Sequence, residues 1–200
     1  MVDNNNYYIE ETEVQESLEG RVLVANTSLD GSCFERSLIY VCAHDAQHAI
    51  GVIFNKQIGT ITTDDLAKHV NISDYKAKNL VYPVMFGGPV ESDQFMILTV
   101  TQEQYKNFNE KKSVTCHMDV DNFFKQVVTG KNKDKFLLIQ GIASWDGQQL
   151  LDEIEENSWL IAEPTAELLF SKKIRNKWQY AVKNLGVQDF SKLVSYSGNA

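Results

Sequence analysis

Residues 21–56 read RVLVANTSLDGSCFERSLIYVCAHDAQHAIGVIFNK. Within this stretch Val22–Ala25, Leu38–Cys42 and Ala49–Phe54 are short runs rich in β-branched and aromatic residues, the composition of strands. Asp30-Gly31-Ser32 announces the turn between the first two. The two later runs flank a segment that, with its ends, collects Cys42, His44, Asp45, Asn55 and Lys56. Reactive side chains set at strand ends by a buried scaffold are a common form of functional site.

Working outward, Thr62-Thr63-Asp64-Asp65 followed by LAKHV reads as a helix start, with Thr62 as N-cap and Asp65 three residues on. Leu80–Phe86 reads as a strand stopped by Gly87-Gly88-Pro89, and Phe95–Val100 as the next. Their closeness suggests a hairpin-like connection. Asp121–Val128 has helical apolar spacing and ends at Gly130, a C-cap residue. Phe136–Ile142 is a near-continuous apolar run, hence a strand buried on both faces. A turn at Asp146-Gly147 leads into the acidic amphipathic helix QQLLDEIEEN, and Ile174–Leu185 forms a last helix stopped by Gly186. More strands than helices, in no regular alternation, indicate an α+β fold in one domain.

The chain of 200 residues has 43% hydrophobic content and 3 prolines, enough to bury a core without staples. It has no apolar run of the roughly 18–20 residues that a membrane helix needs. Residues 1–20 carry Asp3, Glu10, Glu11, Glu13, Glu16 and Glu19 and no Lys or Arg. Of 27 acidic and 19 basic residues, removing those six acids leaves 21 against 19, so the body of the chain carries only −2 of the net −8. Residues 1–20 are therefore expected to be a mobile acidic leader, and 21–200 a single domain. That leader has neither the basic nor the apolar region of a signal peptide. Three cysteines, an odd number, fit a reducing compartment, and a cytoplasmic location is expected with no membrane partner. Nothing supplies the broad basic field of sequence-independent DNA binding, so direct DNA binding is disfavoured. The one locally positive segment, Lys172–Lys183, reads as the solvated side of a helix whose other face carries Trp178.

Several motifs offer chemistry. Cys42 and His44 lie two apart in a strand, and an imidazole beside a thiol makes a nucleophile; the same C-x-H also fits a buried thiol and a structural histidine. Cys42, His44, Cys116 and His117 lack paired metal-ligand spacing, and no metal or cofactor is expected. Gly87-Gly88 after a strand can form an anion nest, or simply a tight turn. In GIASWDGQQ a buried strand delivers Gly141, Ala143 and Ser144 to a loop before a helix N-terminus, a place that favours anions, with Arg36 and Lys56 as matching positive charge. Trp145 also suits a plug in the core.

Taken together these segments resemble the AlgH/YqgE family of bacterial proteins. The match runs through LVANTSLDGSCFERSLIYVCAHDAQHAIGVIFNK, GGPVESDQFMIL, GIASWDGQQLLDEIEENSWL and AEPTAELLF…KWQYAVKNLGV, in that order. The resemblance implies a bifurcated β-sheet forming a small closed barrel surrounded by helices. It implies a regulatory association, since the family name comes from an inferred role in alginate synthesis and some members are labelled transcriptional regulators. It carries no catalytic residues over. The chain departs from the family pattern at Asn26-Thr27, Gln57, Gln94 and Gln148, where Met-Pro, Pro, Arg and Gly are usual. The expected function is a non-enzymatic binding protein with an indirect regulatory role and a protein or small-molecule partner, acting through the acidic leader or through a cleft whose ligand is held among Arg36, Asn55, Lys56, Gly87, Gly88, Ser144 and Trp145. The alternatives are a thiol-dependent transferase or hydrolase using Cys42 and His44, or a small-anion or nucleotide binder.

Overall fold

A computed structural model describes residues 17–75, 77–108, 113–170, 172 and 177–186. Among them are nine strands: β1 Val22–Ala25, β2 Leu38–His44, β3 His48–Ile53, β4 Gln57–Thr62, β5 Val81–Phe86, β6 Val90–Val100, β7 Thr115–His117, β8 Lys135–Asp146 and β9 Trp159–Ala162. Six α-helices accompany them: α1 Thr63–His69, α2 Gln102–Lys106, α3 Val120–Val128, α4 Gly147–Glu155, α5 Ala166–Phe170 and α6 Lys177–Asn184.

The strands form one sheet in the order β4-β5-β8-β3-β2-β1-β9, with β6 and β7 on a branch from β8. The apolar run that begins β8 explains its central place. Leu137 and Ile139 enter one core cluster and Leu138 another, so both faces are covered. β1 behaves alike, sending Val22 and Val24 into one cluster and Leu23 and Ala25 into the next.

β8 is where the sheet divides. Its first half pairs in parallel with β5, from Val84↔Leu138 to Phe86↔Gln140. Its second half pairs antiparallel with β3, from Gly51↔Ala143 to His48↔Asp146. β6 runs antiparallel along its other edge. β8 therefore lies between β5 and β6, and the hairpin expected for those two strands is not formed. Residues distant in sequence supply the pairing that neighbouring strands usually give each other.

The handover from β5 to β3 falls at Gly141, whose φ is +80°. There Gly87 N–H donates to the Gln140 carbonyl at 2.7 Å, and the Gly87 carbonyl accepts from Ile53 N–H at 2.8 Å. A Cβ on Gly87 would collide with the Gly141 carbonyl, and one on Gly88 with the Ile142 carbonyl. The branched sheet nevertheless does not close. β4 and β9 end its path and β7 ends its branch, so the small closed barrel is not present.

The helices follow their local signals. Thr62 and Asp65 form a reciprocal capping box at α1. α3 buries Phe123, Phe124, Val127 and Val128, and Gly130 follows it at φ +69°. α6 buries Trp178, Ala181 and Val182, whereas Ile174 lies outside the described residues. Residues 1–16 of the acidic leader also lie outside them. At its end, Ser17 Oγ donates to the His44 carbonyl and Gly20 N–H to the Val41 carbonyl. No helix among the described residues is long and apolar enough to cross a membrane.

Candidate functional site

The sequence candidates separate into three places. β2 and β3 are antiparallel, with Ile39 opposite Ile53 and His44 opposite Ala49. Arg36, Asn55 and Lys56 therefore meet at one end of this hairpin, and Cys42, His44 and Asp45 stand at the other. They do not converge on one cleft.

At the first end the side chains fasten a loop. Asn55 Oδ1 accepts from Leu38 N–H at 2.8 Å and its Nδ2 donates to the Arg36 carbonyl at 2.9 Å. Lys56 Nζ donates to the Cys33 carbonyl at 2.8 Å, and burial pulls its pKa below the usual lysine range. Arg36 takes a φ of +51°, and its guanidinium lies 6.0 Å from the Trp178 ring centroid. Phe34 stacks on Trp145 and meets Trp159 edge-on. Both indole N–H groups donate to Glu153 Oε2, at 2.9 and 2.7 Å. Trp145 is thus a core plug with a satisfied polar edge.

At the other end, β2 bulges between Val41 and Ala43. The bulge breaks the alternation that would set Cys42 and His44 side by side. Cys42 Sγ lies 3.8 Å from Met96 Sδ and from the Tyr40 carbonyl. Hydrogen bonding with Cys116, then burial, push the Cys42 thiol well above its ordinary pKa. His44 is not among the groups acting on it. His44 Nδ1 accepts the Leu18 N–H at 3.0 Å, while its Nε2 is buried with no partner among the described residues. His117 pairs with Thr99 Oγ1 instead of joining Cys116. Among the described residues no three His, Cys, Asp or Glu side chains cluster as metal ligands would.

The third group is the branch point. Gly87 spends its N–H on Gln140, so the glycines there serve close backbone approach. The GIASW segment is strand, not loop: Ser144 and Trp145 pair with Ile50 and Ala49 inside β8. Strand pairing with β3 takes up the backbone groups that a pre-helical loop would leave free. Ser144 is exposed on the sheet and Trp145 is buried.

The structure adds a place that the sequence reading passed over. Between β5, the start of β8, and residues Phe170, Lys172 and Lys177 lies a cavity of about 270 Å³. Met85, Phe136, Leu138 and Phe170 form apolar wall, and Lys135, Lys172, Lys177 and Asp134 supply charge. It opens where two core clusters part, since Met85 and Leu137 belong to one and Phe136 and Leu138 to the other. Lys135 is steadied by the Tyr105 ring, 4.0 Å from its Nζ. Lys177 is only 3% exposed, which overturns its place on a solvated helix face. Its Nζ donates to the Leu169 carbonyl in the last turn of α5 and lies 5.3 Å from the Phe54 ring centroid. Burial pushes its pKa down to about 8. A signal was available: Lys177 stands four residues before Ala181 and adjoins the apolar face of its helix.

Residues 22–189 match the family described as DUF179, AlgH-like. A UPF0301 protein of Shewanella sp. (strain ANA-3) is 32% identical over 188 residues, covering 92% of this chain and 100% of that protein. One from Shewanella sp. (strain W3-18-1) is 34% identical over 176 residues, covering 86% and 92%. The solution structure of the AlgH protein from Pseudomonas aeruginosa aligns with TM-score 0.66 at 22% identity, covering 93% of this chain and 97% of that one. A crystal structure of a Corynebacterium diphtheriae protein aligns with TM-score 0.63 at 20% identity, over 92% and 93%.

Proposed function

The chain belongs to the AlgH-like family, and we propose that it is a non-enzymatic binding protein that acts in regulation by holding a small molecule. The observation that carries this reading is the lysine-bearing cavity beside β5 and β8, with the buried Lys177 among its lining residues. A mostly apolar pocket with a few convergent polar groups is the usual form of a ligand site. The reading places the protein in the cytoplasm, with an effect on transcription that passes through a partner and not through DNA.

The thiol-enzyme alternative is weakened by the setting of Cys42. A nucleophilic cysteine needs a depressed pKa and a base in reach, and Cys42 has an elevated one and no imidazole against its sulfur. The small-anion alternative loses its support at Ser144, which lies within a paired strand, and gains some at the cavity.

The test is a thermal-shift screen of the full chain against small metabolites, run beside a gel shift at near-physiological salt. Stabilisation by a metabolite, lost when the cavity is filled by Leu138→Trp, is the expected result. Sequence-specific DNA binding, or turnover abolished by Cys42→Ser with folding intact, would overturn it.

A further inference from the structure

Resting on the binding reading just given, we propose that the cavity takes a small monocarboxylate with an apolar body, its carboxylate seated against Lys177 and its body against Phe136, Leu138 and Phe170. A buried anion is tolerated only where a cation and hydrogen-bond donors meet it. Lys177 offers both. An ammonium has three N–H donors, and among the described residues one acceptor, the Leu169 carbonyl, is in reach. That bond caps the end of α5 and leaves donors to spare on a group that is already out of water.

The surrounding charges select the ligand. Among the described residues, the titratable groups on the cavity wall are Tyr82 from β5, Asp134 and Lys135 at the start of β8, Lys172 after α5, and Lys177 of α6. Glu167 of α5 is turned to the Tyr180 hydroxyl at 3.5 Å. Among the described residues, three lysines against Asp134 favour a negative ligand over a neutral or positive one, and the Asp134 carboxylate disfavours a second negative charge. The volume of about 270 Å³ lies just under the usual range for drug-sized ligands, which restricts the body to one ring or a short chain.

Proton linkage follows from the same geometry. With its pKa near 8, Lys177 is largely charged at pH 7 and largely neutral at pH 9. A carboxylate placed beside it favours the charged form, so binding near pH 8 draws a proton from solvent. Affinity is therefore highest below pH 8 and declines as pH rises through that value.

The experiment is calorimetry on the full chain with benzoate, phenylacetate and octanoate, each beside its neutral alcohol, and with phenyl phosphate. It is run at pH 7 and pH 9, and at pH 8 in two buffers of different ionisation heat. At least one carboxylate is expected to bind about tenfold or more tightly than its alcohol at pH 7, the scale of a hydrogen bond to a charged group. That preference should shrink at pH 9, with proton uptake at pH 8. Lys177→Arg, which keeps the charge and the helix cap, should retain binding at pH 9, and Lys177→Met should lose the preference. Equal carboxylate affinity at both pH values without proton uptake would remove Lys177 as the anchor. Tighter phenyl phosphate would overturn the single-charge assignment. If no carboxylate binds while the thermal screen finds a neutral or cationic ligand, this inference fails and the binding reading survives. If no compound of any class stabilises the protein, both fall together.

Discussion

Gly87 and Gly141 approach so closely that a single added carbon on Gly87 would overlap the Gly141 carbonyl oxygen. This is where β8 exchanges β5 for β3 as its neighbour, so backbone contact and sheet branching are one feature. Gly87→Ala is expected to destabilise by about 3 kcal/mol or more, because the opposing atom is backbone and cannot swing aside. Gly59, with open space around its Cβ position and an ordinary φ, is the control. Gly59→Ala should stay within about 0.5 kcal/mol, and urea unfolding of the two variants measures the difference.

Glu153 gathers the indole N–H groups of Trp145 and Trp159 on one carboxylate oxygen. Glu153→Leu leaves two donors in an apolar cluster without an acceptor, at a cost of about 2 kcal/mol or more. The loss should appear as a lower Tm and altered tryptophan emission. Glu153→Gln, which keeps a carbonyl acceptor, should fall between the two.

Lys177 makes stability depend on pH in the alkaline range. Its folded pKa is about 8 against an ordinary 10.5, so between those values the unfolded chain binds the additional proton. Stability contributed through this group therefore rises as pH increases from about 8 toward 10.5, and its charged form is a burden below 8. The difference in unfolding free energy between the native chain and Lys177→Met, followed from pH 7 to 10, should shift in favour of the native chain as pH rises. A flat difference would show that the amine is not desolvated.

Cys33 is exposed, whereas Cys42 is held among Tyr40, Met96 and Cys116. Alkylation of the native protein at pH 8, followed by peptide mass spectrometry, should mark Cys33 first and leave Cys42 unmodified until the chain unfolds. Rapid native alkylation of Cys42 would restore the thiol-enzyme alternative.

Much of this protein was decided locally and can be read from the chain. The β-branched runs of β1, β2 and β3 extend as strands, Thr62 and Asp65 cap α1, and Gly130 follows the end of α3, because caps and periodicity depend on residues within a turn or two of each other. Four ordered motifs carry the resemblance to the family that the match over residues 22–189 shows. The short strands β4, β7 and β9 carry no alternation distinctive enough to stand out, and they exist because a neighbour's edge completes their hydrogen bonds. What only tertiary structure decided is which strand lies beside which. β8 enters between β5 and β6, carrying Ser144 and Trp145 from an expected loop into a paired strand. The bulge at β2 turns Cys42 away from His44, and the packing of α6 against α5 sinks Lys177 into a cavity wall. Each of these outcomes is a choice between burial partners far apart in the sequence. Such a choice is settled by the summed packing of the whole core, to which no local pattern has access.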